Sequence, residues 1–216
     1  SIVFPLLPFL LASFNADGRT LGLLAGSYAL AQFAATPLIG ALSDRFGRRP
    51  VIAICVSGSV LGLGLFAITL SHDWPAGAVL PLFLLFGARL IDGVSGGTAA
   101  TAGAVLADIT PPEKRARAFG LIGVAFGLGF IIGPFLGGQL ARIAVTVPIW
   151  VATGFAVLNL VVVLTLLPET HPVSERRVLP RKRELNPFAQ IARVIGNPAV
   201  GRLALGFFLF FLALIQ

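Results

Sequence analysis

An all-α integral membrane bundle is the fold class that this sequence predicts, and three observations predict it. The 216 residues are 56% hydrophobic and only 12% charged, with a mean hydropathy of +0.94, well outside the composition of soluble globular domains. The apolar residues gather into runs close to the length of about 20 that an α-helix needs to cross a bilayer. The charges fall almost wholly between those runs, because each charged group costs several kcal/mol in hydrocarbon.

Taken in order, the runs lie near 1–14, 21–42, 51–71, 78–107, 118–141, 148–167 and 201–216. No methionine occurs, and residue 1 already lies within an apolar run, so the first helix is expected to be cut short. The last run stops at Gln216 after about 16 residues, too few to span. The expected organisation is a six-helix transmembrane bundle over 1–167, a cytoplasmic linker over 168–200 and the beginning of a seventh transmembrane helix over 201–216, with the remaining half of the protein missing. The first run continues through Asn15-Ala16-Asp17-Gly18 without a basic leader, so it reads as a helix remnant and not as a cleaved signal peptide.

Orientation follows from the basic residues. If the helices alternate, the turns at 43–50 and 108–117 and the stretch 168–202 share one side, which carries thirteen Lys and Arg, while only Arg19 and Arg142 lie opposite. The positive-inside rule makes the basic side cytoplasmic. The net charge of +7 then reports topology and needs no nucleic-acid partner. The run Arg181-Lys182-Arg183 reads as an anchor touching anionic lipid.

The second and fifth runs share a pattern. Pro37-Leu38-Ile39-Gly40 and Pro134-Phe135-Leu136-Gly137 each precede an arginine, Arg45 and Arg142, eight residues after the proline, and the two arginines fall on opposite faces of the membrane. A three-plus-three inverted repeat, a common transporter design, leaves such a trace. In the linker, Asn186-Pro187 reads as a helix start and Gly196-Asn197-Pro198 as a stop, with Phe188, Ile191 and Ile195 on one face. A disordered tether is the alternative for this proline-dense stretch.

The costliest residues are Arg89 and Asp92, three positions apart near the middle of the fourth run and so on one helical face. Intramembrane ions face a bundle interior or a water-filled cavity and mark ion or substrate pathways. Asp92 can cycle between charged and protonated forms; a fixed structural ion pair is the other reading. The run Gly93–Gly103 is rich in small residues, which lets neighbouring backbones approach closely; without a following Gly-Lys-Ser/Thr it is no phosphate loop. The fifth run carries Gly123, Gly127, Gly129, Gly133, Pro134, Gly137 and Gly138, where a bend or a pliable contact is expected. Tyr28, Gln32 and Thr36 recur every four residues and line one face, suited to a polar cavity or to interhelical hydrogen bonds. At the basic end, Asp44 and the arginines can form a reversible charge network with Asp108.

Other chemistry is not indicated. Cys55 is the single cysteine and reads as a packing residue. His72 and His171 lie in loops without metal-ligand spacing, so no metal, cofactor or enzymatic constellation is expected.

Gly40, Leu42, Asp44, Arg45, Gly47, Arg48 and Arg49 resemble the loop motif between helices two and three of the major facilitator superfamily. Arg89 and Gly93 resemble its helix-four motif, and Gly129, Gly133, Pro134, Gly137 and Gly138 resemble the helix-five motif of its twelve-helix drug/proton antiporters. Within that group, Ser43–Pro50, Ala107–Thr110 and the run from Phe119 to Gly138 are similar to the tetracycline-exporter branch. The resemblance implies the N-terminal half of a secondary transporter in a cell membrane, such as a bacterial inner membrane. It implies alternating access, with protons and a small amphipathic drug as partners, and a loop motif that stabilises the outward-facing state. Two positions depart from the exporters: Gly62 stands where they carry an acid, and Asp92 replaces an uncharged residue; their first-helix acid would fall before residue 1. Proton-driven efflux is the leading reading, and symport of a sugar or organic ion the alternative; a channel, an enzyme or a structural membrane protein accounts for less of the pattern.

Overall fold

The computed structural model describes residues 18–75, 78–172, 174 and 186–215, and every regular element among them is helical. In chain order these are α1 (Gly18–Phe46), α2 (Arg48–Ser71), α3 (Leu80–Ser95), α4 (Thr98–Ile109), a 3₁₀ turn (Pro112–Lys114), α5 (Arg115–Ala141), α6 (Val147–Leu166), α7 (Pro187–Ile195) and α8 (Pro198–Ile215). Among the described residues, five helical stretches are long and apolar enough to cross a membrane: α1, α2, α3 with α4, the 3₁₀ turn with α5, and α6. The run predicted at 1–14 lies outside the described residues.

The helices reach beyond several of the apolar runs because charge does not end a helix that emerges from hydrocarbon. Thus α1 continues through Asp44 and Arg45, and α2 starts on Arg48 and Arg49. Gly47 separates them at φ 105°, a left-handed conformation open to glycine and costly for other residues. Its N–H donates to the Ser43 carbonyl at 3.1 Å, closing the end of α1.

The run 78–107 crosses as one span, Leu80–Ile109, with its helix tightened at Gly96-Gly97 between α3 and α4. The Gly96 N–H turns back to the Gly93 carbonyl at 3.0 Å, a tightened last turn of the kind that ends α-helices. Two consecutive glycines supply no side-chain packing to hold the helix through that point.

The chain divides into two compact units, Ser1–Arg177 and Val178–Gln216. In the first, α2 is central. Phe66 and Ala67 of α2 pack with Leu24 of α1, Leu85 and Ala88 of α3, and Ile149 of α6. Val51 and Cys55 pack with Ala35 and Ile39 of α1, while Ile52 and Val56 meet Val105 of α4 and Val163 of α6. The opposite face of α2 exposes Ile54, Leu61 and Ile68 at seven-residue intervals, an apolar stripe suited to lipid. In the second unit, the Asn186 side chain accepts the Phe188 N–H at 3.0 Å and so caps α7. Phe188, Ile191 and Ile195 are exposed on that short helix.

Candidate functional site

Glycines bring α3 against two neighbours at once. A Cβ at Gly62 of α2 would lie 2.9 Å from the Ala88 carbonyl oxygen and 2.9 Å from the Asp92 Cβ, so α3 occupies the space a side chain would need. One at Gly58 would collide with the Ser95 hydroxyl. On the other side, a Cβ at Gly93 would meet the Tyr28 carbonyl oxygen of α1 at 2.6 Å. This wedge fixes the rotation of α3 and with it the direction of Arg89 and Asp92.

Those two ions stand on the wall of a cavity of about 1000 Å³ within the first unit. Ala25, Tyr28 and Ala29 of α1, Leu63 of α2, and Ala152 and Phe155 of α6 contribute to its wall. The long side is α5, through Phe126, Gly129, Phe130, Gly133 and Leu136 among others. The surface is therefore aromatic and aliphatic with one acid, one base and a phenol. A cavity of that size fits a drug-sized molecule, whose orientation a few polar groups would fix.

The Arg89 and Asp92 side chains are 10% and 15% exposed, and Arg89 Nη1 lies 3.9 Å from Asp92 Oδ2. That is an ion pair at the limit of contact and too long for a hydrogen bond. The Arg89 guanidinium carbon sits 4.4 Å from the centre of the Phe66 ring, a cation–π contact that supplies part of what water would otherwise give. Arg89 Nε and Nη2 are buried and have no hydrogen-bond partner among the described residues. The contact with Phe66 left no readable mark in the sequence, because the two residues lie on different helices.

Of the three residues predicted on one face of α1, the structure brings Tyr28 to the cavity wall. The Gln32 amide instead donates to the Gly96 carbonyl at 3.0 Å, where α3 and α4 are interrupted. The Thr36 hydroxyl donates to the Gln32 carbonyl within its own helix at 2.6 Å. At Gln32 the structure takes the interhelical hydrogen bond, one of the two uses that the four-residue spacing allows.

At the end of α1 the charges converge on Arg48. Its side chain pairs with Asp44, donates from Nε to Asp108 Oδ2 at 3.1 Å, and donates from Nη1 to the Ser43 hydroxyl at 2.7 Å. The Ser43 hydroxyl in turn donates to the Gly40 carbonyl at 2.8 Å. Arg45 turns over the Phe46 ring, and Arg49 donates to the Leu164 carbonyl, so neither joins the network. Glu169 was missed by sequence reasoning. Its Oε1 accepts the Arg48 N–H at 2.9 Å and the His171 N–H at 3.0 Å, capping α2 from 121 positions away.

On α5, Gly129 and Gly133 line the cavity. Gly133 and Gly137 are the buried residues of that helix, and Pro134 lies inside it without interrupting it. A Cβ at Gly138 would meet no described atom within 4 Å.

Comparison with known proteins gives a consistent result. Residues 1–216 match the Major Facilitator Superfamily. The chain is 38% identical over 211 residues to the class C tetracycline resistance protein of Escherichia coli, covering 96% of this chain and 50% of that protein. It is 36% identical over 155 residues to the human major facilitator superfamily domain-containing protein 10, covering 72% of this chain and 31% of that protein. A solved structure, that of the human organic anion transporter MFSD10 (TETRAN), superposes with a TM-score of 0.67 at 30% identity, covering 88% of this chain and 45% of that one. The chain spans about half the length of the tetracycline resistance proteins it matches.

Proposed function

Because the chain belongs to the Major Facilitator Superfamily, a family of multi-pass membrane transporters and not of enzymes, we propose that it forms the N-terminal half of a proton-coupled efflux antiporter for amphipathic drugs. Tetracycline-like compounds are the first candidates, given the resistance proteins it resembles. The observation that carries this reading is the Arg89–Asp92 pair on the wall of a largely apolar cavity. A long ion pair in low dielectric is costly to keep. It has a use where one member exchanges a proton for substrate, because the guanidinium then stabilises the carboxylate that proton release leaves behind.

In this reading the six helices of 1–167 form one rocking half built as a three-plus-three inverted repeat. Residues 168–200 are a cytoplasmic linker, and α8 opens the seventh transmembrane helix. The basic turns face the cytoplasm of a bacterial inner membrane. The Arg48 network, with Gly40, Asp44, Arg45, Gly47, Arg49 and Asp108 around it, is the cytoplasmic gate. Asp108 and Glu169 tie α4 and the segment after α6 to the start of α2, so this end of the half moves as one body. In the α5 motif of Gly129, Gly133, Pro134, Gly137 and Gly138, the first two glycines supply a smooth stretch of wall along which substrate moves.

The test is drug-driven proton movement in proteoliposomes holding the full-length protein. Addition of a tetracycline-like substrate should move protons in the parent, and Asp92→Asn should abolish the movement while substrate binding survives. Equal coupling in the variant would remove Asp92 from the mechanism. Proton movement in the same direction as substrate would replace antiport with symport.

A further inference from the structure

The second unit, Val178–Gln216, carries an apolar helix face that its own described residues leave uncovered. Phe188, Ile191 and Ile195 recur at steps of three and four along α7 and so share one side, where they are 71%, 43% and 64% exposed. The register puts Gln190 on the far side of the helix. At nine residues, α7 is about 14 Å long and too short to cross a bilayer. It is also below the ~12–15 residues that an isolated helix needs to hold in water, so its stability calls for a cover on the apolar side.

What covers it follows from where α7 is held. Gly196 and Asn197 alone separate α7 from α8, and two residues reach at most about 7 Å, roughly the depth of one headgroup layer. The elbow is tight: a Cβ at Gly201 would meet the Ile195 carbonyl oxygen at 2.7 Å, so the end of α7 rests on the first turn of α8. With α8 read as the seventh transmembrane helix, on which this inference rests, α7 is pinned beside the point where the chain enters the bilayer. The charge around it has one sign. From Val178 to Arg202, Arg181, Lys182, Arg183, Arg193 and Arg202 stand against a single acid, Glu184. A basic cluster of this size beside an amphipathic helix attracts anionic lipid. A second copy of the chain would bring the same positive charge to the contact, and the turns at 43–50 and 108–117 are basic as well, so lipid is the better match. We propose that α7 is a membrane-surface anchor for anionic lipid headgroups. Phe188, Ile191 and Ile195 sink to the boundary of the acyl chains, and the net positive charge of the segment selects anionic lipid over neutral lipid.

The test is amide hydrogen exchange of the full-length protein in vesicles of phosphatidylcholine alone and of equal parts phosphatidylcholine and phosphatidylglycerol. The α7 amides should exchange at least about tenfold more slowly in the anionic vesicles, because each basic residue near such a surface adds to the attraction. High salt should remove most of that difference. A second measurement identifies the buried face. With lipids brominated in the acyl chains, the fluorescence added by Phe188→Trp should be quenched in the anionic vesicles and that added by Gln190→Trp should not, with the parent protein as the blank. Slow exchange in both vesicles with Phe188→Trp unquenched would mean that protein covers the face, and the proposal would fall. Fast exchange in both would also overturn it, leaving α7 an uncovered tether. Equal quenching in both vesicles would remove anionic lipid as the partner. The amides of α8 serve as the reference. If they exchange as slowly as those of α2 while α7 fails its test, the transmembrane reading of α8 stands and the surface anchor alone is lost. If they exchange as fast as those of α7, the reading of α8 fails and the anchor fails with it.

Discussion

A methyl group added at Gly93 of α3 would meet the Tyr28 carbonyl oxygen at 2.6 Å and the Ala31 Cβ at 2.9 Å, whereas one added at Gly129 or Gly138 of α5 would meet no described atom within 4 Å. The glycine on α3 answers a close approach, and these two on α5 face open space. On α3 the partner is the backbone of a neighbouring helix, held permanently. On α5, Gly129 stands on the cavity wall with open space where a side chain would be. A glycine count cannot separate these uses, but the atoms a Cβ would strike can.

The largest effect expected from that comparison is at Gly93. Gly93→Ala forces α1 and α3 apart at a backbone carbonyl that cannot turn aside, at a cost of about 1–3 kcal/mol, and Gly93→Val should prevent a stable fold. Thermal unfolding of the full-length protein in detergent checks it: an unchanged midpoint for Gly93→Ala would mean that the wedge is soft. Gly62→Ala tests the other flank of the wedge. There the added methyl presses on the Asp92 Cβ and amide nitrogen, so it should disturb proton coupling as well as stability.

Much of the fold was legible because membrane physics is strict. Charge is excluded from hydrocarbon and apolar runs must reach a minimum length, so five of the spans, the loop at Gly47 and the convergence of charge near Arg48 could be read from residue order. The pairing of Arg89 with Asp92 was legible for the same reason, since three positions on a helix define a face. What could not be read was long-range. Nothing in the sequence ties Glu169 to the N–H of Arg48, or Phe66 to the Arg89 guanidinium. The tightened turn at Gly96-Gly97 lay hidden inside a run whose hydrophobicity continues across it.

Gln32 gives the next smaller effect. Gln32→Leu removes the donor to the Gly96 carbonyl and leaves that acceptor facing an apolar side chain, for a loss of about 1 kcal/mol. Gln32→Glu should be worse than Gln32→Leu, because a carboxylate cannot donate to a carbonyl unless it is protonated. If Gln32→Leu unfolds at the parent midpoint, the α3–α4 interruption holds itself open without α1.

On α5 stability should barely respond, and the response should move to substrate. Gly129→Ala puts a methyl on the cavity wall, so its unfolding midpoint should match the parent while the affinity for a bulky substrate falls. Gly138→Ala is the smallest case: with no described atom near the added methyl and no place on the cavity wall, it should change stability by no more than about 0.5 kcal/mol, as surface substitutions do, and leave binding as it was. That makes it the sharpest probe of the contrast with α3. A substantial loss at Gly138 would mean that a helix from beyond the described residues lies against this face, and the α5 glycines would then join those of α3 as permanent packing notches instead of a surface kept open for transport.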